Sequence, residues 1–283
     1  MDRPVSVLPP LQTVELGDGF RVGYLERPGE LEPIVLLHGI GSASSSWRHQ
    51  LNGFPGHRIL AWDIPGYGGS TGIEADWPVV GDYADVLARW FDALGLEAAH
   101  VVGHSLGALM GARFAAEHPG RILSLTLVSI AAGHAYLPEE QRKAKLQGRV
   151  EAVTTMTPRE MAERRGPRMV GPDADESMVR AVIESMAKIK PRAYVQAARM
   201  LSRAWIHDDI ARLPSAMRVQ FVLADSDVIT PVEQNLGVAR GRPSAAVHVL
   251  GGAGHALYVE KPAELNSLLG AFFNHEERRA SIT

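Results

Sequence analysis

The sequence predicts an α/β fold: a doubly wound, mostly parallel sheet interrupted by a helical insertion. Three observations carry that expectation. Short, nearly all-apolar runs alternate with longer segments of helical periodicity through the first half of the chain. The alternation stops near Ala135, and from Pro138 to about Arg212 only helical segments are present. It resumes with runs at Val219–Leu223 and Ala246–Leu250 and a helix that begins at Pro262. A strand covered on both faces has no reason to alternate polar with apolar residues, so continuous apolar runs joined by helices mark a parallel sheet.

Ile34-Val35-Leu36-Leu37 is the first such run and ends at His38-Gly39. His57 to Trp62 follows, closed by Asp63 and the turn-rich Ile64-Pro65-Gly66-Tyr67-Gly68-Gly69-Ser70. His100-Val101-Val102 stops at Gly103, and Leu123 to Ile130 ends in small residues. Between them, Val80 to Leu94 sets Tyr83, Val86, Leu87, Trp90, Phe91 and Leu94 at helical spacing, with Gly95 as a C-cap. Leu106 to Glu117 is rich in Ala, Leu and Met and stops before Pro119. In the insertion, helices are expected over Glu139–Val153, Pro158–Arg165, Glu176–Lys188 and Arg192–Ala204, broken by Gly166-Pro167, Gly171-Pro172 and Pro191. The expected division is a core of residues 1–134 and 213–283 with a helical cap, or lid, over 135–212.

Composition narrows the function classes. The chain has 283 residues, 46% hydrophobic and 22% charged, enough for a substantial core without staples. Net charge is −3 with both signs dispersed, so there is no basic face for nucleic acid. The absence of cysteine excludes disulfides, thiolate catalysis and Cys-ligated zinc. Met1 to Pro10 has no apolar signal-peptide core and no apolar run reaches membrane-spanning length, so a cytoplasmic protein without a membrane partner is expected.

Gly103-His104-Ser105-Leu106-Gly107 matches G-x-S-x-G between a predicted strand and a predicted helix. That context gives the motif its meaning, because the serine sits on a sharp, strained turn that exposes its hydroxyl at the carboxyl edge of the sheet. Side chains two positions to either side would collide, which explains Gly103 and Gly107. A serine hydroxyl is a poor nucleophile and needs a base, which in turn needs an orienting acid. Asp227 follows the Val219–Leu223 run and His255 follows Ala246–Leu250, in the order Ser, acid, His. Asp225 is the rival acid, read as a loop cap. Asp63 precedes the nucleophile in a Gly/Pro turn and is read as a structural Asx-type residue. His100 and His104 stand four apart without an acidic partner, so no zinc site is expected there; His104 is read as a structural neighbour of the serine. His38-Gly39-Ile40-Gly41 follows another strand and can aim the Ile40 N–H at a substrate oxygen, with the Leu106 N–H as the second donor of an oxyanion hole.

Together, Leu37-His38-Gly39, Asp63 with Gly66-Tyr67-Gly68-Gly69-Ser70, the Ser105 motif, Asp227 with Thr230-Pro231, and Gly254-His255 with Glu260-Lys261-Pro262 resemble the α/β-hydrolase superfamily. The similarity is to its serine-nucleophile members with a helical cap. The resemblance implies the α/β-hydrolase fold, with a mostly parallel eight-stranded sheet, helices on both faces and a cap over Ser105. Serine rather than aspartate at position 105 speaks against haloalkane dehalogenases and epoxide hydrolases. Carboxylesterases, enol-lactonases and carbon–carbon hydrolases of ring-cleavage products in aromatic catabolism remain. The last group typically carries asparagine where this chain has His104. Haloperoxidase-like relatives usually carry a bulky aromatic at the position of Ile40.

The expected activity is therefore hydrolysis of a small ester or lactone by Ser105, His255 and Asp227 through an acyl-enzyme, with no metal and no organic cofactor. A carbon–carbon hydrolase or a slow-turnover ligand receptor on the same fold is the alternative, and a lyase or acyltransferase would use the same nucleophile. The expected partners are the small substrate and water, with a homodimer allowed. Pocket candidates are His134 and Tyr136 at the entry to the cap and Arg168, beside Arg164 and Arg165, as an anchor for a substrate carboxylate. Met156, Met161, Met169, Met178, Met186 and Met200 supply an adaptable apolar lining or ordinary cap packing.

Overall fold

The computed structural model describes residues 7–274. The terminal residues 1–6 and 275–283 of the expected core lie outside them, with most of the Met1–Pro10 stretch. The elements are β1 (Leu11–Glu15), β2 (Arg21–Arg27), β3 (Leu31–Leu37), α1 (Arg48–Leu51), β4 (His57–Trp62), α2 (Val80–Ala93), β5 (Ala99–His104), α3 (Leu106–Glu117) and β6 (Ile122–Val128). A helical stretch follows: α4 (Glu139–Thr155), α5 (Pro158–Arg165), α6 (Glu176–Met186), α7 (Pro191–Arg203) and α8 (Ile206–Arg212). The chain closes with β7 (Val219–Ala224), α9 (Val232–Ala239), β8 (Ala246–Leu250), α10 (Leu257–Glu260) and α11 (Pro262–Phe273).

One eight-stranded sheet runs in the order β1-β2-β4-β3-β5-β6-β7-β8. The pairs β1–β2 and β2–β4 are antiparallel and every other pair is parallel. Neither β1 nor β2 is visible as an apolar run. β1 is mostly exposed, and the tight turn into β2 puts Gly17, Asp18 and Gly19 all at positive φ. The chain order reverses around β3: β4 lies on one side of it and β5 on the other. The loops leaving β3 and β5 therefore part at the carboxyl edge and open a crevice between them.

Successive residues of a strand face opposite layers. Val35, Leu37, Leu60, Trp62 and Val101 pack with α2 and α3, whereas Ile34, Leu36, Ile59, Ala61 and Val102 pack with α10, α11 and Trp47. Both layers are apolar, which is why the central strands carry no alternation. Each fully buried side chain of this size contributes roughly 1.5–3 kcal/mol relative to exposure.

Between β6 and β7 the described chain forms helices joined by short connections and no strand. Thr157 closes a capping box with Glu160 at the start of α5, and the Asp175 carboxylate accepts from the Ser177 and Met178 N–H groups at the start of α6. Pro158 and Pro191 occupy first-turn positions, where a missing N–H costs nothing. α4 packs against α7 and α5 against α6, while α8 lies on α3, joined by a 2.7 Å ion pair from Arg113 to buried Asp209. The segment after α5 returns to the sheet edge, where the Ala256 N–H donates to the Met169 carbonyl at 2.7 Å. Among the described residues no helix is long and apolar enough to cross a membrane.

Candidate active site

β5 ends in a turn whose centre is Ser105, at φ 53° and ψ −113°. A side chain rarely adopts positive φ, and here the packing of β5 against α3 enforces it. A Cβ on Gly103 would meet the Gly107 carbonyl oxygen at 2.5 Å, and one on Gly107 would meet the Leu37 carbonyl oxygen at 2.2 Å. Both glycines are thus required by close approach, as the motif predicts. The turn is held by the Ser105 N–H donating to the Val128 carbonyl at 2.9 Å.

Asp227 and His255 arrive from the loops after β7 and β8. His255 Nδ1 donates to Asp227 Oδ2 at 2.8 Å, and both side chains are almost wholly buried. The Ile229 and Thr230 N–H groups donate to Asp227 Oδ1 at 2.8 and 2.9 Å, and the Thr230 hydroxyl donates to Oδ2 at 2.8 Å. Burial pushes the Asp227 carboxyl up, but His255 and these hydrogen bonds outweigh it and hold the carboxyl down at about 2. The acid is therefore an anion that fixes the imidazole with its proton on Nδ1. Nε2 is left to face the cavity that Ser105 also lines. Ser105 and His255 make no hydrogen bond to each other among the described contacts. Such bonds are often long before substrate is present.

Asp225, the rival acid, accepts instead from the Gly252 N–H at 2.9 Å and the Ser226 hydroxyl at 2.9 Å. It caps the turn that carries His255. Asp63 is structural as expected: its carboxylate accepts from the Ser44 and Gly69 N–H groups. His104 Nε2 donates to the His255 carbonyl at 2.8 Å, and burial followed by the neighbouring His255 keeps its pKa well below the ordinary value. It is a neutral brace for the His255 backbone. His100 shares its Nδ1 with the Ser124 hydroxyl at 2.8 Å and stacks on Phe273.

The loop after β3 brings Ile40 to the same cavity. The Ile40 N–H takes no loop hydrogen bond among the described residues, and the Leu106 N–H heads α3, where no preceding helical turn can accept it. The cavity measures about 140 Å³, and residues of the helical insertion form part of its lining. His134 and Tyr136 are among its lining residues, although Tyr136 is half exposed and packs on Trp205. Arg168 does not. α5 ends at Arg165 and a 3-10 turn over Gly166–Met169 follows, so Arg168 is rotated outward and exposed while Arg165 faces the cavity. Of the six methionines singled out, Met161, Met169 and Met186 line the space and Met156, Met178 and Met200 do not.

Four residues of the site have no role in the sequence reading, though two of them lie inside quoted motifs. Tyr67 donates its hydroxyl to the Ile40 carbonyl at 2.8 Å. The Glu260 carboxylate accepts from the Gly171 N–H at 2.7 Å and the Gly254 N–H at 3.0 Å, tying the insertion to the His255 loop. Lys145 and Arg149 of α4 line the cavity. One grouping of metal-capable side chains stands among the described residues, Asp85, Glu117 and His118, and it is outside the cavity lining.

A strained serine after a central parallel strand, with an Asp–His pair delivered by the ends of the last two strands, is the arrangement of the α/β hydrolases. Residues 32–262 match the family model described as the alpha/beta hydrolase fold, and the chain belongs to that family. It is similar to a 2-hydroxy-6-oxononadienedioate/2-hydroxy-6-oxononatrienedioate hydrolase of Paraburkholderia phymatum, at 26% identity across 92% of this chain and 93% of that protein. A shorter match, 38% identical over 113 residues, relates 40% of the chain to 30% of the dihydrolipoyllysine-residue acetyltransferase component of an acetoin cleaving system from Cupriavidus necator. In fold, the enol-lactonase from Burkholderia xenovorans superposes with a TM-score of 0.81 at 20% identity, covering 94% of this chain and 100% of that one.

Proposed function

We propose that the protein is a serine hydrolase that cleaves a small ester or lactone through a Ser105 acyl-enzyme. The observation that carries this reading is the buried His255–Asp227 pair opening onto the cavity that holds the strained Ser105. In the first step His255 Nε2 takes the Ser105 proton as Oγ attacks the carbonyl carbon. Asp227, ionised and fixed by four hydrogen bonds, holds the imidazole and stabilises its protonated form. The Ile40 and Leu106 N–H groups receive the oxyanion, a contribution on the order of 3 kcal/mol to lowering the barrier. The imidazolium returns its proton to the leaving alcohol. Water, deprotonated by His255, then attacks the acyl-enzyme, and Ser105 leaves with the proton restored. No metal or organic cofactor enters this scheme. The helical segment over 135–212 acts as the cap that covers the acyl group, and substrate and water are the only partners it requires.

A second reading, carbon–carbon hydrolysis of a ring-cleavage product, draws on the full-length similarity to the Paraburkholderia phymatum hydrolase. His104 stands against it, because those enzymes typically carry asparagine at that position.

A p-nitrophenyl ester panel from acetate to octanoate, run on wild type and Ser105→Ala, tests the proposal. Turnover that falls at least about 10³-fold in the variant is the expected result. Equal rates in the two proteins would contradict it.

A further inference from the structure

The walls of the cavity are electrically one-sided. Lys145, Arg149 and Arg165 line it together with Ser105 and His255, and no aspartate or glutamate does. Lys145 and Arg149 are four residues apart on α4 and so share a face of the helix. Arg165 is the last residue of neighbouring α5. Among the described residues none of the three enters an ion pair or a side-chain hydrogen bond. Cations elsewhere on the same helices do: Lys143 pairs with Glu139 at 2.8 Å, and Arg159 with Glu184 at 2.8 Å. Arg164 of α5, which faces solvent, also makes no ion pair among the described residues; what sets Arg149 and Arg165 apart is that they are half-buried in a cavity wall without a carboxylate, with Lys145 at its exposed rim.

Their field reaches across the site. Burial, then Arg149 and Lys145, push the His134 imidazole down to about 4, so it is neutral at working pH and leaves the cavity's charge to the three cations. Burial, then Tyr83 and Tyr194, push the Tyr67 phenol up, and Arg149 opposes them only in part; the Tyr67 hydroxyl holds the Ile40 carbonyl. A cleft lined by one sign of charge within apolar walls concentrates ligands of the opposite sign. Met161, Met169 and Met186 supply those walls.

Resting on the serine-hydrolase reading above, we infer that the substrate is an ester or lactone that also carries a carboxylate, held by Arg149 and Arg165 with Lys145 beside them. A guanidinium presents two parallel N–H donors that match a carboxylate, and desolvation under the helical insertion strengthens the contact. The methionines cover the apolar carbons between carboxylate and scissile carbonyl. Neutral esters lack the group that matches the cations, so they are the poorer substrates.

The test compares matched esters that differ by one carboxylate. On the acyl side, mono-p-nitrophenyl glutarate is set against p-nitrophenyl pentanoate; on the alcohol side, 4-acetoxybenzoate is set against its methyl ester. The readout is the ratio of kcat/KM, charged over neutral, in wild type, Arg149→Gln/Arg165→Gln and Arg149→Lys/Arg165→Lys. A ratio of about tenfold or more in at least one arm is expected in wild type, the worth of one charge-assisted contact. It should collapse toward one in the Gln variant and survive in part in the charge-retaining Lys variant. Ratios at or below one in both wild-type arms overturn the inference, as does a high ratio that persists in the Gln variant. Calorimetric binding of glutarate to Ser105→Ala separates the two proposals. Binding that weakens about tenfold or more when Arg149 and Arg165 become Gln supports the anion site even if no ester is turned over, in which case it is the hydrolase reading that fails.

Discussion

The Tyr67 hydroxyl donates a 2.8 Å hydrogen bond to the carbonyl of Ile40, across 27 residues of sequence. Burial first, and two neighbouring phenols after it, hold the Tyr67 pKa well above its ordinary value, so the group remains a neutral donor at any working pH. Its partner is the residue whose N–H is assigned to the oxyanion. Tyr67→Phe keeps the ring and deletes the donor. We expect kcat to fall about tenfold with KM changed little, and stability to drop by about 1 kcal/mol. Steady-state kinetics and urea unfolding on the same preparation check both, and an unchanged kcat would remove Tyr67 from the account.

Glu260 joins two segments that must stay in register. Its carboxylate accepts from the N–H groups of Gly171, in the insertion, and Gly254, next to His255. These backbones touch: a Cβ on Gly254 would lie 2.4 Å from the Gly171 nitrogen. Glu260→Gln retains one acceptor and turns an amide donor toward N–H groups that are donors themselves. Stability should fall by roughly 2 kcal/mol, and Ser105 labelling by a fluorophosphonate should slow about tenfold as His255 loses its fixed position. Labelling at the wild-type rate in a destabilised variant would restrict Glu260 to a structural role.

Acid should weaken the fold through its buried histidines. Burial, then Arg218 and His57, bring the His100 pKa down to about 3 from an ordinary value of 6.5. In the unfolded chain His100 takes up a proton below pH 6.5 that the native state refuses until pH 3. Its contribution is therefore fully present above pH 6.5 and is lost as pH falls toward 3, at about 1.4 kcal/mol per pH unit. Urea unfolding between pH 7.5 and 5 should show this slope, steepened by His104 and His134, whose pKa values are also depressed. His100→Gln should flatten it by about the contribution of one group; an identical slope in wild type and variant would refute the assignment.

The sheet and the site differ in how far they could be read from the chain. Strands β3 to β7 announce themselves because both faces are covered over most of their length, β8 because its short run is apolar although mostly exposed, and the helices between them carry a 3.6-residue period. β1 does not, since the exposed edge Leu11-Gln12-Thr13-Val14-Glu15 has no apolar run, nor does β2, where Arg21, Gly23, Glu26 and Arg27 interrupt the buried apolar residues. Ser105, Asp227 and His255 were legible because strand ends and chain order confine where such residues can stand. The pocket was not. The sequence points to Arg168 with Arg164 and Arg165 beside it, and only the 3-10 turn at Gly166–Met169 decides which of them faces inward. Lys145 and Arg149 sit on α4, a helix so polar that its sequence marks no face as special; packing against α7 selects that face.

In the proposed mechanism Ser105 Oγ is the atom that becomes acylated. Wild type, Ser105→Ala and His255→Gln should be incubated with a fluorophosphonate, digested, and mapped by mass spectrometry. One phosphonyl adduct on Ser105 in wild type, none in Ser105→Ala, and labelling slowed by at least about 10³-fold in His255→Gln is the result expected. An adduct on another residue, or equal labelling of Ser105 without His255, would contradict the mechanism.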